Sequence, residues 1–153
     1  ELDPLEHRDY VINDSGLTVD LFKDHYVQPG LLSTLKSSNA LPYVLGSIYA
    51  KENDFDAVLL VNDAKQLVEA NYGNVFLVQG NTLRTSPLED GALRGVFRKN
   101  VIEWAKDIHL EVQVASINPF DLQKADEVWI TNTIRGIEWV GQYRKKSYGN
   151  TKA

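Results

Sequence analysis

The chain contains no cysteine and no methionine in its 153 residues. Without cysteine it has no disulfide framework and no thiolate chemistry, which fits a reducing compartment. No apolar run approaches the roughly 20 residues that a transmembrane helix needs, and the first ten residues are charged rather than signal-like. We therefore expect a cytoplasmic protein without a membrane partner.

The chain also contains fewer basic than acidic residues. Lys and Arg number 16 against 21 Asp and Glu, which gives a formal net charge of -5 and a pI near 5.2. Nucleic acids and anionic membranes bind clustered Lys and Arg, so neither is expected as a partner. His7, His25 and His109 have no ligand or triad spacing, and we predict no metal site.

The chain does contain enough apolar sequence for one core. Its hydrophobic content is 43%, and no repeat or linker-like stretch divides it, so we predict a single domain over residues 1–153. Because methionine is missing, we expect that Glu1 is not the encoded start. We expect the chain to be a fragment of a longer protein.

Short apolar runs and turn residues alternate along the first third of the chain. Runs at 10–13 and 17–21, separated by a Gly-containing turn at 14–16, predict a β-hairpin. Polar residues at 37–39, followed by Leu41, Val44, Leu45 and Ile48 at helical spacing, predict a capped helix over 38–51. Pro42 is tolerable only in the first turn of that helix.

The remaining two thirds predict a mixture of strands and helices. Strands are predicted at 57–61, 67–69, 75–78, 83–85, 111–114, 127–131 and 136–143, and a short helix at 118–124. A helix over 96–107 would bury Phe97, Val101, Trp104 and Ile108 on one face. The tail from residue 144 is polar and predicts a solvated end. Together these elements indicate a layered α/β (α+β) domain.

Three short segments and one lysine form the most informative pattern. The segments are residues 69–76 (EANYGNVF), 83–85 (LRT) and 93–98 (LRGVFR), and the lysine is Lys36. In this order and spacing they resemble the class IV aminotransferases, which use pyridoxal 5′-phosphate (PLP), over about residues 31–143. The resemblance implies the lysine-bearing C-terminal domain of the D-amino-acid aminotransferase-like (fold type IV) enzymes. It also implies an N-terminal domain that this chain lacks.

The resemblance gives Lys36 and Glu69 the central roles. Lys36 would hold the PLP aldehyde as a Schiff base, and Glu69 would keep the pyridine nitrogen protonated, so that PLP can act as an electron sink. Asn74 would arrange the backbone and side chains around the glutamate. Composition alone favours an ordinary solvated lysine at position 36, and a strand-end carboxylate and a turn asparagine are the structural alternatives for Glu69 and Asn74.

The phosphate group needs N–H donors, and the start of a helix offers unsatisfied ones with a favourable dipole. By resemblance, the amides of Val96 and Phe97 would hold phosphate oxygens, with Gly95 allowing close approach. Thr133 matches a second hydroxyl on the phosphate side, although a strand-end threonine explains it equally well without the pattern. Arg98 is expected to be structural and to pair with nearby carboxylates.

The resemblance implies transfer of an amino group from an amino acid to a 2-oxo acid, in a homodimer when intact. Two departures from the transaminase pattern leave lyase activity as an alternative. Phe97 stands where transaminases commonly have Thr, and Leu41 stands where branched-chain enzymes commonly have Tyr. The alternative is 4-amino-4-deoxychorismate lyase, which would use Lys36 to release pyruvate. A second alternative is a non-catalytic relative that keeps only the fold.

Overall fold

The computed structural model of the protein describes residues 9–153, so His7 lies outside the described residues. Within that range one sheet contains nine strands. They are β1 (Leu17–Val27), β2 (Ala57–Asn62), β3 (Leu67–Ala70), β4 (Asn74–Gln79), β5 (Thr82–Thr85), β6 (Glu111–Val114), β7 (Glu127–Asn132), β8 (Gly136–Tyr143) and β9 (Lys146–Ser147). The helices are α1 (Leu41–Glu52) and α2 (Val96–Asp107), with 3₁₀ turns at Leu32–Thr34, Leu88–Asp90 and Pro119–Gln123. This mixture confirms the predicted α/β class.

Six of the strands form a closed ring of pairings. Strand β1 pairs in parallel with β2 on one side and with β8 on the other. Antiparallel pairs β2–β3, β3–β4, β4–β7 and β7–β8 complete the ring. Strands β5 and β6 extend the sheet from β4. A parallel pair needs a crossover connection, and α1 lies in the connection from β1 to β2.

The core follows the two-residue period of the strands. In β2, Ala57, Leu59 and Val61 join the largest apolar cluster, to which all six ring strands contribute. Val58 and Leu60 point to the opposite face and belong to a second cluster next to α1. Every residue of β2 is therefore buried, as expected for a strand that is covered on both faces.

The two helices cover the outer face of the ring. Helix α1 packs through Gly46 and Ala50, and a Cβ added at Gly46 would lie 3.0 Å from Cγ2 of Val58. Helix α2 buries Phe97, Val101 and Ala105 over β4 and β7. The sheet thus places the first turn of each helix beside the turn between β3 and β4.

The predicted hairpin at the start of the chain is wrong. Residues 10–13 form no strand, and β1 pairs with β2 and β8 instead. The Asn13 side chain accepts a hydrogen bond from the Trp139 backbone N–H (2.9 Å) and donates one to its carbonyl (3.1 Å). Gly16 contacts Gly141 so closely that an added Cβ would lie 2.3 Å from its Cα. The segment therefore crosses β8 rather than turning back on β1.

Both helices are where the sequence predicts them, but their details differ. Helix α1 begins at Leu41 after Ala40, and no side chain caps it, so the predicted polar cap is wrong, whereas Pro42 does lie in the first turn. Three of its periodic apolar residues are about half exposed or more (Leu41 62%, Val44 51%, Ile48 48%) because the helix packs through small residues.

The predicted buried face of α2 is confirmed for two of its four residues. Phe97 and Val101 are buried, but Trp104 (48%) and Ile108 (58%) are largely exposed. Arg98 and Ala105 complete the buried side instead.

The tail from residue 144 is mostly exposed, as predicted, but it is attached to the domain. Strand β9 pairs with β8, and the buried Tyr148 hydroxyl donates to the Leu122 carbonyl at 2.8 Å. Buried Glu127 accepts hydrogen bonds from the Thr151 hydroxyl (2.8 Å) and the Lys152 backbone N–H (2.9 Å). One side-chain and one backbone donor of the tail thus bind a buried carboxylate, which composition alone does not reveal.

The other predicted strands and the short helix after Asn118 are confirmed, with Asn118 capping that helix at the Phe120 N–H. Among the described residues, no helix is both long and apolar enough to cross a membrane.

Candidate active site

A cleft of about 770 Å³ opens beside the turn between β3 and β4. Its walls come from the segment before α1, the first turns of both helices and the end of β7. All the predicted site residues line it: Lys36, Glu69, Asn74, Gly95, Val96, Phe97 and Thr133. The fold therefore brings together residues that are spread over nearly a hundred positions of the sequence.

Glu69 is the most enclosed charged group in the cleft, with 2% of its surface exposed. Its Oε1 accepts a hydrogen bond from the Tyr43 hydroxyl at 2.5 Å. Its Oε2 accepts hydrogen bonds from Nδ2 of Asn74 and from the Leu93 backbone N–H, both at 3.1 Å. Donors from α1, β4 and the segment before α2 thus converge on one carboxylate.

Burial raises the pKa of Glu69 from 4.5 to about 7. The hydrogen bonds from Tyr43 and the Leu93 N–H oppose this rise, as do the positive charges of Lys36 and Arg98. A carboxyl group whose pKa is raised this far is unusual for a purely structural group. Strong pKa shifts of this kind cluster at functional sites.

Strand register explains why Asn74 reaches Glu69. The two residues are direct partners in the β3–β4 pair, and Asn74 is also the partner of Thr131 in β7. Nδ2 of Asn74 also donates to the Leu93 carbonyl at 2.9 Å. This one side chain joins the strand that carries the carboxylate to the segment that leads into α2.

Gly95 lies immediately before α2 and contacts Asn74. A Cβ at this position would lie 2.1 Å from Oδ1 of Asn74, a distance that the side chain could avoid only by moving. Glycine is therefore required here by close packing, since its φ of -66° is open to any residue.

Replacing Gly95 with alanine is expected to displace Asn74 and weaken both of its hydrogen bonds. We expect the free energy of unfolding to fall by about 1–3 kcal/mol, the usual cost of overpacking. Urea denaturation measures this effect. Gly149→Ala is the matched control, because no atom lies within 4 Å of an added Cβ there. Equal stability of the two variants would contradict the packing role of Gly95.

The first turn of α2 offers backbone donors to the cleft. No side chain caps this helix, and Val96 and Phe97 both line the cleft. The Phe97 side chain is buried in the apolar cluster between α2 and the sheet, and its ring packs edge-on against the exposed rings of Tyr10 (5.0 Å) and Trp104 (5.5 Å). Phe97 can thus contribute its backbone N–H to the cleft while its side chain anchors the helix.

Thr133 and Lys36 occupy two exposed edges of the cleft. The Thr133 carbonyl accepts a hydrogen bond from the Tyr10 hydroxyl at 2.8 Å. Lys36 lies in the loop between the Leu32–Thr34 turn and α1, and the Thr34 carbonyl ties this loop to the Arg94 N–H at 3.0 Å. Lys36 is close enough to Glu69 for its charge to lower the pKa of the carboxyl.

Comparison with known proteins places the chain in a family. The sequence pattern of the family described as amino-transferase class IV matches residues 7–142. The chain belongs to the class IV aminotransferases.

Similar class IV proteins carry two kinds of name. Branched-chain-amino-acid aminotransferase 6 of Arabidopsis thaliana is 32% identical over 145 residues, which cover 90% of this chain and 41% of that protein. Aminodeoxychorismate lyase of Vibrio harveyi is 31% identical over 111 residues, 72% of this chain and 41% of the lyase. The crystal structure of 4-amino-4-deoxychorismate lyase from Pseudomonas aeruginosa matches with a TM-score of 0.80 at 25% identity, covering 88% of this chain and 51% of that one. This chain spans about half or less of the length of each of these relatives.

Class IV aminotransferases depend on PLP, and the donor set of the cleft fits that cofactor. A carboxylate offers about four acceptor positions, and the hydrogen bonds to Glu69 use three of them. The remaining position, on Oε1, is available to a pyridine N–H. The uncapped start of α2 in the same cleft suits a phosphate group.

The sequence does not reveal Tyr43, and it predicts a structural role for Arg98 but not its partner. Tyr43 follows Lys36 by seven positions and carries no motif, so only the observed bond to Glu69 reveals it. Arg98 was expected to pair with a carboxylate, but its Nη2 donates to the Ser86 carbonyl at 2.9 Å, and within the described residues it forms no ion pair. Its charge nevertheless acts on Glu69, which lies close by.

Proposed function

We propose that this protein transfers an amino group from an amino acid to a 2-oxo acid, with PLP attached covalently to the Lys36 amine. The observation that supports this proposal best is the shared cleft, in which Lys36 and the buried carboxylate of Glu69 face one space beside the start of α2. PLP supplies the electron sink that stabilises negative charge on the substrate carbon.

The residues of the chain would bind the cofactor and transfer protons. Glu69 would hold a proton at the pyridine nitrogen, because a buried carboxylate interacts strongly with a neighbouring cation. The N–H groups of Val96 and Phe97 would bind the phosphate. The Lys36 amine would attach the cofactor and, when released, would move a proton at the substrate α-carbon. Thr133 would add a hydroxyl on the phosphate side.

The second candidate is 4-amino-4-deoxychorismate lyase activity at the same site. Two observations support it: lyases are among the similar proteins, and the first turn of α2 has Phe97, whose side chain is buried in the core and offers no hydroxyl to the cleft. Both reactions would use Lys36, so the cleft residues alone do not separate them.

Substrate assays on the protein as its gene encodes it separate the candidates. We expect PLP-dependent transfer of the amino group from an amino acid to 2-oxoglutarate. Release of pyruvate from aminodeoxychorismate without any amino transfer would replace this proposal with the lyase. A protein that never binds PLP would be a non-catalytic relative.

Three further properties remain predictions. They are a second, N-terminal domain that completes the cleft, a homodimer of the intact protein and, from the sequence rather than the family, a cytoplasmic location.

A further inference from the structure

Tyr43 makes a short contact with the central carboxylate. Its hydroxyl lies 2.5 Å from Oε1 of Glu69, and its side chain comes from the first turn of α1 into the cleft wall. We propose that Tyr43 is a positioning residue, whose hydroxyl holds the Glu69 carboxylate charged and oriented with its last acceptor position toward the cofactor ring nitrogen. This inference rests on the proposed function, because it concerns the PLP site.

The orientation follows from the distribution of donors. Asn74 and the Leu93 N–H both bind Oε2, and Tyr43 is the donor to Oε1 within the described residues. Without Tyr43 the carboxylate would be held at one oxygen only and could rotate about that anchor. With it, both oxygens are held, and one acceptor position on Oε1 remains for the cofactor.

The charge state follows from the groups that face Glu69. These are Lys36 from the loop before α1, Tyr43 from α1 and Arg98 from α2. Burial and the neighbouring negative charge raise the pKa of Tyr43, so its proton stays on the hydroxyl and Tyr43 acts as the donor. A donor to a carboxylate favours its charged form and lowers its pKa. Tyr43 therefore counteracts the burial of Glu69 directly.

The variant Tyr43→Phe removes only the hydroxyl. In the protein without PLP, we expect the titration midpoint of the Glu69 carboxyl to rise by about one pH unit or more. Infrared difference spectroscopy measures this midpoint, and Glu69→Gln identifies the band. At neutral pH we expect about tenfold weaker PLP binding, which recovers as the pH rises above the new midpoint.

A matched control lies in the same cleft wall. Tyr72 also lines the cleft, but its hydroxyl has no hydrogen-bond partner within the described residues, and its ring lies 5.0 Å from the Arg135 guanidinium. Tyr72→Phe should leave the Glu69 midpoint unchanged. A fluorinated tyrosine placed at position 43, which is a stronger donor of nearly the same size, should instead lower the midpoint.

The outcomes separate this inference from the proposed function. If Tyr43→Phe keeps the wild-type midpoint and the wild-type pH dependence of PLP binding, Tyr43 does not position Glu69. If the wild-type protein binds no PLP, the proposed function fails, while the titration without PLP still decides whether Tyr43 controls the carboxylate.

Discussion

Lys36→Ala is expected to abolish covalent binding of PLP and to lower turnover by on the order of 10⁴-fold or more, as when another covalently acting residue is removed. No other lysine lines the cleft among the described residues. Neither the arginine nor the hydroxyl groups of the cleft can replace a primary amine as the attachment point for an aldehyde.

The fold should survive this change. Lys36 is exposed in a loop, and exposed substitutions usually change the free energy of unfolding by no more than about 0.5 kcal/mol. Absorbance of bound PLP and amino transfer in the intact protein measure the loss of function, and urea denaturation measures stability. The control is Lys51→Ala, an exposed lysine in the last turn of α1. Retained turnover in Lys36→Ala would show that the cofactor is not held at this residue.

Glu69→Gln is expected to lower turnover by about 10²- to 10³-fold, the usual effect of removing one preorganised charge interaction from a catalytic site. Glutamine has nearly the same shape, and its amide oxygen can accept the hydrogen bonds from Asn74 and the Leu93 N–H. Its nitrogen can donate to the Tyr43 hydroxyl. The substitution therefore removes mainly the charge that would hold a proton at the pyridine nitrogen.

The same substitution should change how stability depends on pH. Because burial raises the pKa of Glu69 from 4.5 to about 7, the folded protein without PLP binds a proton more tightly than the unfolded chain. The stabilisation from the protonated form is complete below pH 4.5 and is lost as pH rises through about 7. The total change is roughly 3 kcal/mol. Glu69→Gln should lack this loss and should melt a few degrees higher than wild type at pH 8 without PLP.

Thermal unfolding at several pH values and steady-state kinetics measure both effects. Glu127→Gln is the matched control, because Glu127 is equally buried but binds Trp129, Thr151 and Lys152 away from the cleft. That control should weaken the attachment of the tail and leave PLP binding unchanged. Wild-type turnover in Glu69→Gln would contradict the role of the carboxylate.

The sequence predicted best where local pattern and burial agree. Strand β2 is a continuous apolar run, and α2 begins at Val96 and ends at Asp107 as predicted. Local pattern failed where distant partners decide the structure. The apolar run at 10–13 resembles a hairpin strand, but bonds between Asn13 and Trp139 place it across β8.

In the candidate site, too, some residues are found from the sequence pattern and others only from the structure. The family pattern indicated Lys36 and Glu69, and the structure places both in one cleft, while their roles remain predictions. Tyr43 has no motif, and its bond to Glu69 depends on how α1 packs against β2 through Gly46. Such a contact arises from packing between elements and cannot be found from the spacing of residues alone.

Reductive trapping of the cofactor tests the proposed chemistry most directly. The wild-type protein, mixed with PLP and reduced with borohydride, is digested, and the modified lysine is located by mass spectrometry. We predict one pyridoxyl group per chain, on Lys36. A label distributed over surface lysines, or no label on Lys36 in the intact protein, would contradict the assignment of this cleft as a PLP site.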